Sequence, residues 1–392
     1  MAWGEVKVEK QRKLFCELIL NKELNIAEAC RKFGVSRPTG YEWVNRYRIE
    51  GNSGLKNRSS ARLTQNHQTS SEIEEQILTL KHKYSTWGPK KLLAKLQESN
   101  PYIEYPGTTT IGNILSRNGL TIKRKLRRRL AEKTSPLTIA KGANDVWCMD
   151  FKGWKLTGNS HKFDPFTLTD HYSRYILRNL KLDINNTEHV WAVLDVAFRE
   201  YGLPLFLRSD NGPPFASCAP GRFSTLAVKL VKAGVMPEWI EPGKPQQNGR
   251  HERMHLTMEQ EGILTGIDLE EQIQYSEKFR EYFNFERPHE ALGQKTPGSI
   301  YVPSTRQWSG RLRQMEYSSE YQIGKVRSCG KMAWKTKQIY ISPVFAGELL
   351  GIKEETTGQE IYFGPYLLGK LIKDNELEVI RRKPRNNYIK IT

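Results

Sequence analysis

The sequence has few cysteines, no long apolar run, and a shortage of acidic residues in its first third and its last quarter. Its five cysteines are odd in number and no two form a Cys-x-x-Cys pair, so neither a disulfide framework nor a zinc site is indicated. No run approaches the roughly 18 apolar residues of a membrane helix, and the opening MAWGEVKVEK lacks the apolar centre of a signal peptide. We therefore expect a reduced protein of the cytosol that does not enter a membrane.

The net charge of +18 is distributed unevenly along the 392 residues. Residues 1–149 carry 27 Lys and Arg against 14 Asp and Glu, residues 150–300 carry 18 against 20, and residues 301–392 carry 16 against 9. Basic flanks suit the phosphate backbone of DNA, whereas a slightly acidic middle suits a site of carboxylates and metal ions. A charge bias that serves only solubility is the simpler alternative. The length predicts two to four domains.

The basic N-terminal third contains two helix-turn-helix patterns. In the first, over residues 1–58, a short helix ends at Gly34 and another begins with Ser36 as its N-cap. In the second, over residues 69–122, the last helix is capped by Thr108 or Thr109, with or without a wing after it. Helical hairpins with no DNA role are the alternative. The DNA contacts predicted for the two units are Arg37, Thr39, Tyr41, Arg46, Thr109 and Thr110.

A basic segment, 123–140, follows the second unit and opens with seven basic residues in the eleven positions 123–133. Such runs are usually solvated. Because this one joins a DNA-reading module to the acidic middle, we expect it to be a linker that tracks the phosphate backbone. The residues expected to do so are Lys123, Arg124, Lys125, Arg127, Arg128 and Arg129.

The middle of the chain, 141–303, has the pattern of a mixed α/β fold. Alternating polarity predicts a strand over 145–154 and two further strands up to about residue 182, followed by helix, strand, helix, strand and helix. From 314 to 392 the sequence changes to short alternating segments broken by Gly and Pro. That pattern predicts a small C-terminal β-barrel or a sandwich.

Three acids lie at the ends of these core elements. Asp150 is on the polar face of the first strand, Asp210 directly follows a buried strand, and Glu252 begins the helix after the loop 242–249. Three carboxylates at one sheet edge are what two divalent metal ions need. Taken singly, each has a simpler interpretation, as an edge-strand charge, a turn residue or a helix N-terminal acid. Glu241 and Glu259 are rivals of Glu252.

Five sequence blocks, in order, resemble the signatures of DDE transposases of bacterial insertion sequences, which share the RNase H-like catalytic core of retroviral integrases. The blocks read WCMDFKG from Trp147, TDHYSRYI from Thr169, RSDNG from Arg208, PQQNGRHER from Pro245 and ERPHEALGQKTPGSIY from Glu286. The resemblance extends from the helix-turn-helix units to about residue 303. Two features depart from it: the interval before Glu252 is longer than usual, with the surplus in 214–223, and PQQNG replaces the expected PQTNG. The zinc module of retroviral integrases is absent from the sequence.

The resemblance implies an RNase H-like core with a mixed five-stranded sheet, in which Asp150, Asp210 and Glu252 are catalytic and bind two Mg²⁺ or Mn²⁺ ions. It implies an enzyme that binds terminal inverted repeats, hydrolyses the phosphodiester at the 3′ end of the element and transfers that 3′-OH to target DNA. Such an enzyme acts as a dimer or higher multimer on double-stranded DNA, in the bacterial cytosol and associated with the nucleoid. Further DNA contacts are expected from Gln246, Gln247, Asn248, Arg250 and Arg253. The alternatives are a sequence-specific DNA-binding protein with an inactive relic core, and a metal-dependent nuclease without strand transfer.

Overall fold

The computed structural model describes residues 8–58, 69–121, 137–261, 266–335, 337–355, 358–371 and 377–379. The chain divides into two compact units, Met1–Thr69 and Ser70–Thr392. No helix in the described ranges is long and apolar enough to cross a membrane. Residues 59–68, which lie between the two helix-turn-helix patterns, are outside the described residues. So do six predicted DNA contacts: Lys123, Arg124, Lys125, Arg127, Arg128 and Arg129.

The first unit contains three helices, α1 (Val8–Leu20), α2 (Ile26–Phe33) and α3 (Arg37–Glu50). Asn25 caps α2 in a capping box with Glu28. Gly34 ends α2 with a positive φ of 66°, a conformation that favours glycine. Ser36 caps α3 by accepting a hydrogen bond from the amide of Thr39. The predicted helix-turn-helix geometry is therefore confirmed for this unit.

The second unit begins with three more helices, α4 (Ser71–Lys83), α5 (Pro89–Ser99) and α6 (Thr108–Arg117). The cap expected for α6 is wrong, because Gly107 takes the extended N-cap backbone and Thr108 is already helical. Trp87 is buried before α5, stacks on Tyr84 with ring centroids 3.9 Å apart, and donates a 2.7 Å hydrogen bond to the hydroxyl of Tyr282. These contacts join the three helices to the part of the unit that holds the central sheet.

The central sheet has five strands in the order β5-β4-β1-β6-β7. β1 pairs antiparallel with β4 and parallel with β6, and β6 pairs parallel with β7, so the sheet is mixed as predicted. A two-stranded hairpin, β2 and β3, is inserted between β1 and β4. The bounds are β1 Val146–Phe151, β2 Lys155–Leu156, β3 Lys162–Phe163, β4 Pro165–Asp170, β5 Ile176–Lys181, β6 Phe206–Ser209 and β7 Met236–Trp239.

Four helices accompany the central sheet: α7 (Thr187–Tyr201), α8 (Thr225–Ala233), α9 (Gly249–Gln260) and α10 (Leu269–Glu281). β1 and β4 supply Trp147, Met149, Phe166 and Leu168 to the main buried core. An apolar stripe of α7 packs there as well, through residues that include Val190 and Leu194. The sheet that carries the candidate acids therefore rests on a continuous apolar layer.

The C-terminal part forms an open antiparallel sheet in the order β14-β13-β12-β11-β8, together with a separate pair, β9 and β10. Because β14 and β8 lie at opposite edges in the described residues, the sheet does not close, and the predicted β-barrel is not confirmed. The bounds are β8 Gln322–Lys325, β9 Lys331–Trp334, β10 Lys337–Tyr340, β11 Leu349–Glu355, β12 Gly358–Phe363, β13 Tyr366–Leu371 and β14 Leu377–Val379.

The segment 214–223 ends at Phe223, whose ring joins the C-terminal strands to the part of the chain that holds the central sheet. Phe223 is fully buried, and its ring meets those of Trp239, Phe345, Phe363 and Tyr366 at centroid distances of 5.1 to 5.7 Å. Residues of α8 share this cluster with the C-terminal strands. The long interval before Glu252 therefore has a structural role in docking the last strands.

Replacement of Phe223 by Ala is expected to lower the free energy of unfolding by about 3–5 kcal/mol, because a fully buried aromatic ring leaves a cavity. Urea denaturation followed by circular dichroism measures the loss. Tyr340→Ala is the control, since this aromatic ring is 59% exposed and its removal should cost less than about 0.5 kcal/mol. Equal losses in the two variants would contradict the assigned docking role.

Candidate active site

Two of the three candidate acids leave adjacent parallel strands at the same edge of the sheet. In the pairing of β1 with β6, Cys148 stands opposite Arg208. Asp150 and Asp210 each follow their member of that pair by two residues. Side chains two residues apart on a strand point to the same face, and parallel register keeps the two acids side by side. The sequence alone could not show this, because it does not reveal which strands are neighbours.

The third acid comes from a helix that starts where the sequence predicts. A short 3₁₀ turn, Pro245–Asn248, leads into α9, and Glu252 lies in its first turn. Burial, together with the negative charges of Asp210 and Glu252, raises the pKa of Asp150 to about 7. Asp210 and Glu252 are therefore near enough to oppose the ionisation of Asp150, an electrostatic condition that a divalent cation relieves.

The rival acids differ from Glu252 because lysines already neutralise them. Glu259 pairs with Lys152 at 3.1 Å and with Lys155 at 2.8 Å. Glu241 pairs with Lys244 at 2.6 Å. Glu252 is exposed and forms no ion pair within 4 Å with any residue that the structure describes. Among the three, Glu252 is the carboxylate with charge left for a metal ion.

Two buried histidines support this site, and the sequence analysis missed them. His251 and His255 are four residues apart on α9, so both face the sheet. Both rings reach the hydroxyl of Thr167, through Nε2 at 2.7 and 2.8 Å, and Nδ1 of His251 reaches the hydroxyl of Thr169 at 2.8 Å. The signal that could have found them is the pattern His-x-x-x-His beside Glu252.

The hydroxyl of Thr167 determines how the protons of this network are arranged. It donates to the carbonyl oxygen of Asp150 at 3.1 Å, so it can only accept from both histidine Nε2 atoms. Burial lowers the pKa of His251 to about 3 and that of His255 to about 2, so both rings are neutral. Nδ1 of His255 is then a lone pair, 3.9 Å from Oδ2 of Asp150.

Among the described residues, Asp150, His251 and His255 bring ligand atoms within 4.8 Å of one another, which Asp150, Asp210 and Glu252 as a set do not. Both nitrogens of His251 are occupied by threonine hydroxyls, which leaves this ring no lone pair for a metal ion. Only Nδ1 of His255 remains to join Asp150. The histidines therefore suit a supporting role that fixes α9 against β4, and the carboxylates suit the ligand role.

The loop after β6 is shaped by its own side chains. The amide of Gly212 donates to Oδ1 of Asp210 at 3.0 Å. Nδ2 of Asn211 donates to the carbonyl of Ile240 at 2.7 Å, and its Oδ1 accepts from Arg222 at 2.9 Å. A Cβ on Gly212 would lie 3.3 Å from Asp210 Oδ2. The Asp-Asn-Gly sequence thus orients the carboxylate of Asp210 as well as making the turn.

The structure separates the predicted DNA contacts around Glu252 into exposed and buried ones. Gln246, Arg250 and Arg253 are exposed, and Arg250 also donates to the carbonyl of His171 at 2.9 Å. Gln247 instead accepts a 2.7 Å bond from the amide of Glu241, and Asn248 is 3% exposed. Only the exposed members are placed where a phosphate can reach them, and their contact with DNA stays a prediction.

The predicted contacts in the helix-turn-helix segments divide in the same way. Arg37 and Tyr41 are exposed on α3, and Thr109 and Thr110 are exposed at the start of α6. Arg46 lies over the ring of Trp43 and donates to the carbonyl of Lys56 at 2.8 Å, and Thr39 bonds to the hydroxyl of Ser36. The last two side chains are used inside their own unit.

Family models of helix-turn-helix-type and integrase core domains match four segments of the chain. A helix-turn-helix domain model matches residues 12–62 and a homeodomain-like model matches residues 39–115. Two integrase core domain models match residues 140–245 and 233–297. The chain therefore combines helix-turn-helix domains with an integrase core, the class that its motifs predicted.

Within that class, the chain is related to proteins of bacterial insertion elements, which confirms the predicted resemblance. It is 24% identical over 231 residues to the insertion element IS407 uncharacterized 31.7 kDa protein of Burkholderia multivorans, covering 58% of this chain and 80% of that protein. It is 27% identical over 181 residues to the insertion element IS476 uncharacterized 39.2 kDa protein of Xanthomonas euvesicatoria, covering 45% of this chain. The chain spans half the length of the second relative.

Solved structures that match parts of this chain include retroviral integrases. The HTLV-2 integrase catalytic core domain in complex with magnesium is 15% identical, with a TM-score of 0.34, over 42% of this chain and 100% of that chain. A chain of the simian T-cell lymphotropic virus intasome in complex with PP2A regulatory subunit B56 gamma is 14% identical, with a TM-score of 0.35, over 76% of this chain and 99% of that chain. Likenesses of this size carry no argument about activity.

Replacement of Asp150 by Asn is expected to stabilise the metal-free protein at high pH. The folded-state pKa of about 7 lies above the ordinary value of 3.8. The folded state therefore holds a proton that the unfolded state releases, and this stability is lost as pH rises through 7. Asn removes that loss. The gain in free energy of unfolding should be on the order of 1–3 kcal/mol larger at pH 8.5 than at pH 5.5.

Urea denaturation in the presence of a chelator measures this gain. Asp183→Asn is the control, because this aspartate is exposed. A gain for Asp150→Asn that is the same at both pH values would show that burial and the neighbouring acids do not act on the Asp150 carboxylate.

Proposed function

We propose that this protein is a DNA transposase that cleaves the 3′ ends of a mobile element and joins them to target DNA. The observation that carries the proposal is that Asp150 and Asp210 come from adjacent parallel strands, while the charge of Glu252, in the first turn of α9, acts on the pKa of Asp150. Integrase core and helix-turn-helix domains in one chain support the same activity. So does the relationship to insertion element proteins.

The three carboxylates are the residues that would hold two Mg²⁺ or Mn²⁺ ions. Their oxygens match the ligand preference of these ions, and bound positive charge would oppose the burial and the neighbouring negative charges that raise the pKa of Asp150. When bound, such ions supply Lewis-acid stabilisation of the attacking and leaving oxygens of an in-line displacement. Asp150, Asp210 and Glu252 fit these ions through their carboxylate oxygens. Glu241 and Glu259 fit less well, because lysines neutralise them.

The other residues of the site position these carboxylates. Gly212 and Asn211 fix the loop of Asp210. His251 and His255 tie α9 to Thr167 on β4 and so hold the start of that helix beside Asp150. Two displacements of this kind, hydrolysis at the element end and attack of the freed 3′-OH on target DNA, need no covalent intermediate with the protein.

The partners implied are the terminal inverted repeats and a target duplex. Arg37 and Tyr41 on α3, and Thr109 and Thr110 on α6, are exposed at positions suited to groove contacts. Gln246, Arg250 and Arg253 are exposed around Glu252 and suited to the phosphates near the scissile bond. Joining two ends to one target requires a dimer or larger multimer. The bacterial cytosol, at the nucleoid, is where such a reaction would occur.

Replacement of Glu252 by Gln is expected to reduce 3′-end cleavage with Mg²⁺ at least about 1,000-fold, because the amide cannot serve as an anionic metal ligand. Binding of the terminal repeat should stay within about twofold, because the helix-turn-helix segments are untouched. The substrate is a labelled duplex taken from the DNA that flanks the gene, where short inverted repeats are expected.

Glu259→Gln is the matched control, on the same helix and with its carboxylate already paired to two lysines. This variant should retain cleavage to within about fivefold, since the proposal gives Glu259 no metal to bind and the amide of Gln can still accept hydrogen bonds from Lys152 and Lys155. Full activity in Glu252→Gln, or loss of activity in Glu259→Gln alone, would move the third ligand to Glu259.

A pre-cut end with a free 3′-OH separates transposition from the two alternatives. Covalent joining to a target duplex by the wild type supports the proposal. Cleavage without joining would favour a metal-dependent nuclease. Binding of the ends with neither reaction would favour a DNA-binding protein with a relic core.

A further inference from the structure

A lysine-rich hairpin directly follows Asp150, and the reaction described above does not use it. Residues 152–163, the basic hairpin, contain three lysines and no Asp or Glu. In the pairing of β2 with β3, Lys155 stands opposite Phe163, and Leu156 stands opposite Lys162. Phe163 is 1% exposed, so its side chain faces inward, whereas Lys155 opposite it is exposed and reaches Glu259. By alternation, Leu156, Lys162 and Trp154 share the outer face.

The basic hairpin is held in place at its base and at its tip. Lys152 and Lys155 both pair with Glu259 on α9, the helix that carries Glu252. At the tip, the amide of Gly158 donates to the carbonyl of Gly266 at 3.0 Å, and the amide of Asn159 to that of Ile267 at 2.7 Å. A Cβ on Gly158 would lie 3.0 Å from the carbonyl oxygen of Ile267, so the close approach requires glycine.

The outer face of this anchored hairpin leaves a tryptophan in solvent. Trp154 is 60% exposed and Leu156 is 53% exposed. Nζ of Lys162 lies 5.0 Å from the centroid of the Trp154 ring. An exposed indole forgoes the burial that usually stabilises a fold, so Trp154 is available for a ligand. A flat aromatic face beside ammonium groups matches a nucleobase joined to a phosphate.

The position of Trp154 limits which part of the DNA it can meet. Four residues along an extended chain span at most about 14 Å, so its Cα lies within that distance of the Cα of Asp150. Bases along one strand are spaced by about 3.4 Å. The indole is therefore within about four nucleotides of a phosphodiester held at the acids. Inside a duplex each base face is covered by its neighbours, so stacking on Trp154 requires a base that has left its pair.

We infer that Trp154 stacks on an unpaired base close to the cleaved end of the DNA, with Lys162 at the adjoining phosphate, and so holds the end of the duplex open. The inference rests on the proposed function, since it names the state in which that site takes its substrate. Charge supports DNA as the occupant, because Lys162 beside Trp154 forms no ion pair within 4 Å with a described residue, while Lys152 and Lys155 pair with Glu259. A second copy of this chain on the same face is the competing occupant, and the test separates the two.

The first test compares cleavage of two end substrates, one fully paired and one with three mismatched pairs at the terminus. Trp154→Ala should cleave the paired end about tenfold more slowly than the wild type. It should recover to within about twofold of the wild type on the mismatched end, where no pair must open. Trp154→Phe should keep most of the activity on both ends. Tyr102→Ala, which removes a fully exposed aromatic ring elsewhere in the chain, is the control and should change neither rate.

The second test does not depend on cleavage. A duplex with 2-aminopurine in place of an adenine within four nucleotides of the end is bound with Ca²⁺ in place of Mg²⁺. Stacking on Trp154 should change the fluorescence of the wild-type complex, and Trp154→Ala should abolish that change.

The outcomes separate the inference from the proposed function. Absence of cleavage by the wild type, with the fluorescence change intact, would contradict the transposase proposal and keep the inference. Equal fluorescence in the wild type and Trp154→Ala, or an equal loss of rate on paired and mismatched ends, would overturn the inference. A Trp154→Ala variant that instead shifts the DNA-free protein to a smaller species in sedimentation would assign the face to a second copy.

Discussion

The parallel pairing of β1 with β6 is the constraint on which the rest of the site depends. It sets Asp150 and Asp210 side by side at one edge of the sheet, where burial and like charge oppose ionisation of Asp150. Two half-buried like charges are costly in a fold, and the apolar layer beneath the sheet supplies the stability that tolerates them. The charge of Glu252 also raises the pKa of Asp150, so the arrangement favours the binding of positive charge.

The position of Glu252, the third acid, depends on hydrogen bonds between uncharged groups. The hydroxyl of Thr167 reaches two neutral histidines on α9 and the carbonyl of Asp150, and so links the helix of one acid to the strand of another. Losing such a hub leaves several buried polar atoms without partners. The rigid placement of Glu252 is therefore a property of the helix–sheet interface, while its exposure comes from its position in the first turn.

The sequence predicted the helix-turn-helix geometry of the first unit, the mixed sheet and the start of α9, because caps, alternation and motif blocks are local signals. It did not find the His251–Thr167 network, which joins residues 84 positions apart. Nor did it show that 214–223 ends in the ring docking the C-terminal strands, or that Arg46 and Asn248 turn inward. The predicted β-barrel was not confirmed. Local alternation identifies strands, but it does not show whether the last strand pairs with the first.

The central claim is that Asp150, Asp210 and Glu252 form one electrostatic unit built for divalent cations. A ¹³C-NMR titration of the Asp150 carboxylate in the metal-free protein tests it most directly. The account predicts a pKa near 7 in the wild type, a lower pKa after Asp210→Asn, and no titration in that range when Mg²⁺ saturates the site. A pKa near the ordinary value of 3.8, unchanged by Asp210→Asn and by Mg²⁺, would contradict it.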